Sequence, residues 1–322
     1  MRERHEIKEL AREQIRAQRA PAILLIFVYA LMAYASALLD RMAGRLGGSV
    51  AYWIIYSVGM LILGVLWVNL SGEYVKIYEG RRATVGEIFT GCGKKFFRKM
   101  GGYLWMTLWL LLWALPGIVV HVWTNILILA ILLYIPVFIR AMAYFMTPYI
   151  LGYHTEVKAT LALRLSKRMT KGYMGRIVVM YLSFIGWIIL GVLPFLIFTF
   201  YGAAFGYSSG NFYAGIVTIY IGALGSVALF IVLILPYMHV TIAGLFIELR
   251  DDMLAKGLVS WEELGMPRPI VVTPVAEAPQ STPPVVEAVT VELAPEEGET
   301  DELSEDEVYG DEDEDDLTDE ES

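Results

Sequence analysis

The residues best suited to do chemistry lie in the segment GYSSG, residues 206–210, which matches the Gly-x-Ser-x-Gly motif of serine hydrolases. In those enzymes a sharp strand-to-helix turn exposes the serine, and a histidine and an acid complete the site. Ser208 would be that nucleophile, and His121 could lie on the same side of the membrane, but no acid accompanies them. The segment therefore predicts an external polar loop, with an intramembrane hydrolase as a remote alternative. We assign no catalytic residue.

The residue types that bind metals are too scattered to predict a metal site. The four histidines, His5, His121, His154 and His239, do not have the spacing of metal ligands. Cys92 is the only cysteine and cannot form a disulfide within the chain. We therefore predict no metal, no cofactor and no enzymatic activity.

Three polar residues within apolar sequence are candidates for a pocket inside the membrane. Arg140 follows Pro136, while His239 and Thr241 follow Pro236 in a similar segment. Polar and ionisable side chains within a membrane are costly, so they often mark a functional site. Because these three would lie near an interface, their side chains could instead extend to the headgroups without forming a pocket.

Basic residues cluster in two polar stretches, 71–99 and 140–176, each of which carries seven Lys and Arg. Such clusters orient membrane spans and contact the phosphates of anionic lipids. We expect no nucleic-acid surface. The candidate lipid-phosphate contacts are Lys94, Lys95, Arg98, Arg164, Lys167, Arg168 and Arg176.

Long uncharged segments must position these residues, and they indicate a membrane protein. Of 322 residues, 57% are hydrophobic and 18% are charged. A helix of about 20 apolar residues crosses the hydrocarbon core, so the uncharged runs 100–139 and 177–247 each hold two spans. With the shorter runs 20–39 and 46–72, the sequence predicts an all-α, polytopic protein with six transmembrane helices arranged as hairpins. The predicted spans are 21–39, 50–70, 101–120, one that ends near 139, 177–201 and 214–249.

The basic residues also predict the orientation. With the N-terminus in the cytoplasm, 23 of the 25 Lys and Arg lie on the cytoplasmic side, and only Arg41 and Arg45 lie outside. Cytoplasmic loops are enriched in these residues. We therefore expect a multi-pass protein of the cell (inner) membrane with both termini in the cytoplasm.

The two ends of the chain differ from its membrane part. Residues 1–20 predict an amphipathic cytoplasmic helix, and the six-span domain is expected over 21–250. A short juxtamembrane helix is predicted at 251–266, followed by a disordered, Pro-containing acidic tail at 267–322. Residues 269–322 hold 20 acids and no base. The tail could therefore bind a basic protein partner or fold back onto the basic loops.

Two segments of the membrane domain resemble each other. RKMGGYLWMTLWLLLWALP, residues 98–116, matches RIVVMYLSFIGWIILGVLP, residues 176–194, at seven of nineteen positions. Because both copies would begin in the cytoplasm, they predict a parallel repeat, over about 73–147 and 151–249, related by an axis along the membrane normal. Besides three leucines, the matched residues are Arg98 with Arg176, Tyr103 with Tyr181, Trp109 with Trp187 and Pro116 with Pro194.

Three further segments resemble a known family. They are ALRLSKRMTKG at 162–172, LSFIGWIILGVLP at 182–194 and LPYMHVTIAGLFIEL at 235–249. These are similar to a bacterial integral-membrane family of unknown function, numbered 975 among such domains, which carries a Leu-Ser-Phe-Ile-Gly-Trp motif. The resemblance covers about residues 5–250 and implies a six-span bundle, without implying an activity. The acidic tail is not a family feature, and the family's Ile-Pro-Gly-Ile is Ile-Pro-Val-Phe at 135–138 here.

These features together favour a non-catalytic interaction or organising module whose acidic tail is a cytoplasmic tether. Its expected partners are anionic lipid headgroups and a basic protein. The alternative is a transporter or channel for a small or lipid-like substrate. The repeat and the Pro-broken helices favour that alternative, and the scarcity of charge at the membrane midplane opposes it.

Overall fold

A computed structural model of the chain describes residues 2–45, 50–90, 95–124 and 127–267. These residues form helices and turns and contain no strand, so the predicted all-α fold is confirmed. The predicted acidic tail lies outside the described ranges. The repeat and the domain boundaries predicted above remain predictions.

Twelve α-helices and one π-helix are present among the described residues. In chain order they are α1 (Arg4–Ala17), α2 (Arg19–Gly44), α3 (Val50–Tyr78), α4 (Val85–Thr90), α5 (Phe96–Thr124), α6 (Leu127–Ala143), α7 (Thr147–Tyr153), α8 (Ala159–Thr170), α9 (Met174–Leu182), α10 (Ile185–Ser209), α11 (Phe212–Leu229), the π-helix (Phe230–Ile234) and α12 (Leu235–Ala255).

Six helical segments are long and apolar enough to cross a membrane, which confirms the six predicted spans. A straight 44-residue helix would be ~66 Å long, about twice the ~30 Å hydrocarbon core. The longer segments therefore extend beyond the hydrocarbon core by several helical turns. The segments are Arg19–Gly44, Val50–Tyr78, Phe96–Trp123, Ile131–Tyr153, Met174–Ser209 and Phe212–Ala255.

The buried core lies where the ends of several spans meet the short helices, and we call this region the packed end. It is built from α1, the start of α2, the second half of α3, α7, α8, α9 and α12. Helix α1 contributes Ile7 and Ala11, while its other residues are exposed or half-buried. An amphipathic helix with one narrow apolar stripe must cover another surface with that stripe, which is why α1 lies against the core.

Two helical hairpins, α5–α6 and α10–α11, contribute little to this core. Within each hairpin the two helices contact each other, and large apolar side chains remain exposed along both helices. Leu112 on α5 is 54% exposed and Leu224 on α11 is 69% exposed. In water such surfaces would be unfavourable, so they are the surfaces that lipid or other spans must cover.

Helices α3 and α7 approach each other closely because glycines face each other between them. A Cβ atom added to Gly152 would lie only 2.1 Å from the carbonyl oxygen of Val68, and one added to Gly72 would lie 2.7 Å from the backbone of Gly152. Small residues allow this backbone contact in membrane helices. It anchors α7 at the packed end.

Helix boundaries differ from the predicted ones in the polar stretches. Helix α3 continues eight residues beyond residue 70, to Tyr78, because its polar side chains find partners within the protein. Within the predicted juxtamembrane segment 251–266, α12 continues to Ala255 and turns follow it. The predicted fifth span is interrupted at Ser183 and Phe184, between α9 and α10.

The predicted external loop that contains GYSSG is mostly helical. Helix α10 runs through Ser209, and Gly210 ends it in the left-handed conformation, with φ of 68°. Helix α11 begins two residues later. The helices can continue this far because Gly202 packs on the backbone of Gly215, where an added Cβ would lie 2.6 Å from the Gly215 carbonyl oxygen. The connection is therefore a tight turn.

Candidate functional site

A groove lined by tryptophans and cations lies between α5, α6 and α8, and we call it the tryptophan groove. Its volume is about 430 Å³. Three of its side chains come from one face of α5, where residues four apart lie above one another. Two cations come from α8, at positions three apart, and a third comes from the end of α6. These six residues are Trp105, Trp109, Trp113, Arg164, Lys167 and Arg140.

Direct contacts order the aromatic side of the tryptophan groove. The guanidinium carbon of Arg140 lies 4.5 Å from the ring centroid of Trp113, which is a cation–π contact. The rings of Trp105 and Trp109 meet edge to face, with centroids 6.1 Å apart. Buried Tyr144 also lines the groove. The groove therefore offers an aromatic wall beside positive charge.

A second groove combines cations with a tryptophan between α1, α10 and α12, and we call it the N-terminal groove. Its volume is about 340 Å³. The guanidinium of Arg12 lies 5.5 Å from the ring centroid of Tyr237. Trp187 in this groove is the residue that the alignment of 98–116 with 176–194 pairs with Trp109 of the first groove. The lining residues include Arg12, Arg16, Arg19, Trp187, Pro236 and Tyr237.

The predicted pocket of Arg140, His239 and Thr241 does not form. Arg140 lies in the tryptophan groove, whereas His239 is buried between the rings of Trp67 and Tyr74, at centroid distances of 5.0 Å and 5.1 Å. The hydroxyl of Thr241 donates to the carbonyl of Tyr237 within its own helix, at 2.8 Å. Similar positions after Pro136 and Pro236 have different surroundings, because α6 belongs to a projecting hairpin and α12 to the packed end.

The basic residues predicted to contact lipid phosphate divide into two groups. Lys94 lies outside the described residues. Four have protein partners, and two, Arg164 and Lys167, are exposed in the tryptophan groove. The partners are Glu156 for Lys95, the carbonyls of Leu151 and Val157 for Arg98, Glu263 and the carbonyl of Leu258 for Arg168, and the carbonyl of Arg2 for Arg176.

Two of these partners, Glu156 and Glu263, are acids whose pKa is lowered by the contact. The hydrogen bond from Lys95 holds the pKa of the Glu156 carboxyl below its usual range. The hydrogen bond from Arg168, at 2.9 Å, does the same for Glu263. Both carboxyls are therefore firmly ionised at neutral pH. Their cations are engaged and are less available to an external anion.

A polar network at the packed end was not predicted from the sequence. Tyr153 on α7 donates its hydroxyl hydrogen to Glu79 at 2.6 Å, and Arg81 contacts both of these residues. Buried Arg250 on α12 lies 3.6 Å from Glu79. The network joins the segment that follows α3 to α7 and α12. Because these residues lie on three segments far apart in sequence, no local pattern predicts that their side chains contact one another.

A second network surrounds the part of α3 that extends beyond the predicted span. Lys76 donates to Glu73 at 2.7 Å and also contacts Glu87. Nearby, Asn69 donates to the carbonyl of Ile88 at 2.7 Å and accepts a hydrogen bond from Lys99. The contact from Lys76 lowers the pKa of Glu87. The spacing of Glu73 and Lys76, three apart in a helix, is the only local clue to this network.

His154 is a buried titratable group at the end of α7. Its ring meets Tyr153 edge to face, at a centroid distance of 4.9 Å, and lies 6.1 Å from the ring of Phe246. Burial, aided by the positive charge of Arg250, lowers the pKa of His154 to about 4. The imidazole is therefore neutral at physiological pH, which suits a packing role.

The surroundings of Ser208 are not those of a hydrolase nucleophile. Its hydroxyl donates to the carbonyl of Phe205 in the same helix, at 3.3 Å. The motif ends a helix instead of joining a strand to a helix, the geometry that exposes such a serine. Among the described residues, no group of three His, Cys, Asp or Glu side chains is placed to hold a metal ion.

Comparison with protein-family models agrees with the resemblance seen in the sequence. Residues 117–251 match the family "Protein of unknown function (DUF975)". The predicted resemblance is confirmed for these residues, which include the Leu-Ser-Phe-Ile-Gly-Trp motif at 182–187, the break between α9 and α10, and most of α12. The first half of the predicted range, including α1 to α4, lies outside the match.

No curated protein and no solved structure matches the chain. The family match covers Arg140, Arg164 and Lys167 of the tryptophan groove, whereas Trp105, Trp109 and Trp113 precede it. The groove therefore combines residues from inside and outside the matched range.

Proposed function

We propose that this protein is a non-catalytic module of the cell (inner) membrane that organises other membrane components. The observation that carries the proposal is the contrast between the packed end and the two projecting hairpins. The hairpins leave long rows of apolar side chains exposed. Such faces are open to other spans, which associate through close van der Waals packing.

The orientation is part of the proposal. Both termini lie in the cytoplasm, which is supported by the 23 basic residues that this orientation assigns to the cytoplasmic side. The packed end then faces the cytoplasm, and the turn at Gly210 and Asn211 lies outside. The acidic tail starts from the cytoplasmic side, where it serves as a tether for a basic protein.

Co-purification from native membranes with quantitative mass spectrometry tests the organising role. The variants Leu108→Ala/Leu112→Ala and Tyr220→Ala/Leu224→Ala remove exposed apolar side chains from one hairpin each. We expect at least one of these variants to lose a membrane protein that co-purifies with the unchanged chain. If both retain the same set of proteins at the same protein level, the organising role is wrong.

A truncation after Arg268 tests the tether separately. It removes all 20 acids of residues 269–322. Loss of one basic protein from the co-purifying set is the expected result, and a chain whose tail is replaced by an equally long Gly/Ser segment should lose it too. An unchanged set would show that the tail is not a tether, without affecting the hairpin result.

The transporter or channel alternative is favoured by the interruptions within the spans. The fifth span breaks at Ser183 and Phe184, and a five-residue π-helix, Phe230–Ile234, precedes Pro236 in the sixth. Broken helices are common at the substrate sites of transporters. Reconstitution into liposomes with a fluorescent phospholipid tests this alternative. We expect no transbilayer movement above that of protein-free liposomes, and movement that needs the protein would favour a transporter.

A further inference from the structure

We propose that the tryptophan groove binds the headgroup of an anionic phospholipid. The lipid phosphate contacts Arg140, Arg164 and Lys167, and the acyl chains lie along the exposed apolar face of α5. This inference does not depend on whether the protein organises other proteins or transports a substrate.

The cations of the groove have no direct ion-pair partner within the described part of the chain, although Glu263 attracts Arg164 at longer range. None of Arg140, Arg164 and Lys167 makes an ion pair with a described carboxylate. By contrast, neighbouring Arg168 pairs with Glu263 at 2.9 Å. Three cations that line one groove repel one another, and a bound anion removes that repulsion.

The position of Arg140 favours an anion that comes from the membrane. Arg140 belongs to the candidate span Ile131–Tyr153 and is half-buried against Trp113. An ionised side chain at such a place needs a nearby counter-charge, since the membrane cannot solvate it. Arg140 lies in the last turn of α6, which we place at the depth of the lipid phosphates.

The apolar surface beside the groove favours a lipid over free phosphate. Leu104, Leu108 and Leu112 form a stripe on α5 next to the tryptophans, and each is about half exposed, at 49%, 51% and 54%. A free phosphate ion would contact only the cations of the groove. A phospholipid supplies both the anion and the chains that cover the stripe, and tryptophan rings favour the interface between these two parts.

The N-terminal groove also places cations beside a tryptophan. Trp187, which the alignment of 98–116 with 176–194 pairs with Trp109, lies beside Arg12, Arg16 and Arg19. Cations beside a tryptophan therefore occur in two grooves of the molecule. This recurrence fits a ligand that is present all around a membrane protein.

Photolabelling tests the proposal on the full chain reconstituted in phosphatidylcholine vesicles. The vesicles contain a small fraction of phosphatidylglycerol with a photoreactive acyl chain, and labelled peptides are identified by mass spectrometry. We expect label on α5 near Trp105 to Trp113. Unlabelled phosphatidylglycerol should compete about tenfold better than added phosphatidylcholine, since each cation near the headgroups favours anionic lipid by a few fold. Inorganic phosphate should not compete.

Matched variants locate the charges responsible. Arg164→Gln/Lys167→Gln should reduce labelling of α5 about tenfold, because two of the three cations are lost. Lys158→Gln/Lys171→Gln removes the same charge from exposed residues outside the groove and should leave the label unchanged. All four side chains are on the surface, so folding is retained. A second pair of variants tests the aromatic wall. Trp109→Leu should reduce the labelling of α5, and Trp123→Leu, which changes an exposed side chain on the same helix, is its control and should not.

Several results would overturn the proposal. Equal loss of label in both charge variants would mean general surface attraction without a site, and no loss in either would mean that the groove binds no anionic lipid. Competition by inorganic phosphate as strong as that by phosphatidylglycerol would identify a free-anion site. If α5 is labelled only after truncation following Arg268, the acidic tail, and not lipid, occupies the groove.

Discussion

Arg98 on α5 holds the C-terminal end of α7 by donating a hydrogen bond from Nη2 to the carbonyl oxygen of Leu151, at 2.7 Å. Its Nη1 donates to the carbonyl oxygen of Val157 at 2.6 Å. The last carbonyls of a helix have no partner within the helix, so a cation placed there satisfies them and interacts well with the helix dipole. Arg98 therefore joins the projecting hairpin to the packed end.

Replacing Arg98 should consequently destabilise the protein. Hydrogen bonds to charged groups contribute about 1.5–3 kcal/mol each, so we expect Arg98→Gln to cost about 3 kcal/mol and to lower the melting temperature in detergent. Arg164→Gln, on an exposed side chain that makes no side-chain hydrogen bond or ion pair within the described residues, serves as the control. Equal melting temperatures for the two variants would contradict the structural role of Arg98.

The close contact of α3 with α7 makes Gly152 intolerant of any side chain. Gly152→Ala would place a Cβ atom 2.1 Å from the Val68 carbonyl oxygen, and overpacking of this kind costs about 1–3 kcal/mol. Gly175→Ala is the control, because no atom lies within 4 Å of a Cβ added there. Thermal unfolding followed by circular dichroism measures both. A Gly152→Ala variant as stable as the control would show that the helices can separate without cost.

Stability should fall at acidic pH because of His154. Its folded-state pKa of about 4 is below the ~6.5 of an unfolded histidine, so the unfolded state binds the proton more tightly. Neutral His154 makes its full contribution to the free energy of unfolding above pH ~6.5. This contribution is lost as the pH falls towards 4, by up to about 3 kcal/mol. Melting temperatures at pH 7.5 and 5 measure the loss. His154→Gln should reduce it, and His5→Gln, on an exposed side chain, should not.

Reporter fusions test the proposed orientation. Fusions after Arg45 and after Gly210 should report an external location, and a fusion after Arg82 should report the cytoplasm, because the basic residues favour that side. The three results are independent of one another. An external signal after Arg82 would invert the topology and place the packed end outside.

Substitutions in the GYSSG segment should leave function unchanged. Ser208→Ala removes only a hydroxyl bonded within its own helix, and His121→Ala removes an exposed side chain. Growth or another cellular phenotype of a deletion strain, complemented with each variant, gives the measurement. Failure of Ser208→Ala to complement, at normal protein level, would restore the hydrolase hypothesis.

The six spans could be predicted because each depends only on a run of neighbouring residues. Apolar segments such as 100–139 and 177–247 are long enough for helices that cross the hydrocarbon core. The structure confirms six helical segments of sufficient length and hydropathy. Local sequence also indicated the amphipathic residues that form α1. Helix ends were harder to predict. Glu73 and Lys76 look like the polar residues of a loop, but they continue α3 because they pair with each other and Lys76 also contacts Glu87 of α4.

Only the tertiary structure decided which polar residues meet. The sequence grouped Arg140 with His239 on the basis of their similar positions after prolines, yet one contacts Trp113 and the other is enclosed by Trp67 and Tyr74. Likewise, Arg98 was expected at lipid phosphate and instead binds α7. Hydropathy and charge are properties of each segment by itself, whereas a contact depends on how distant helices pack, and that packing is set by side-chain shape at every crossing.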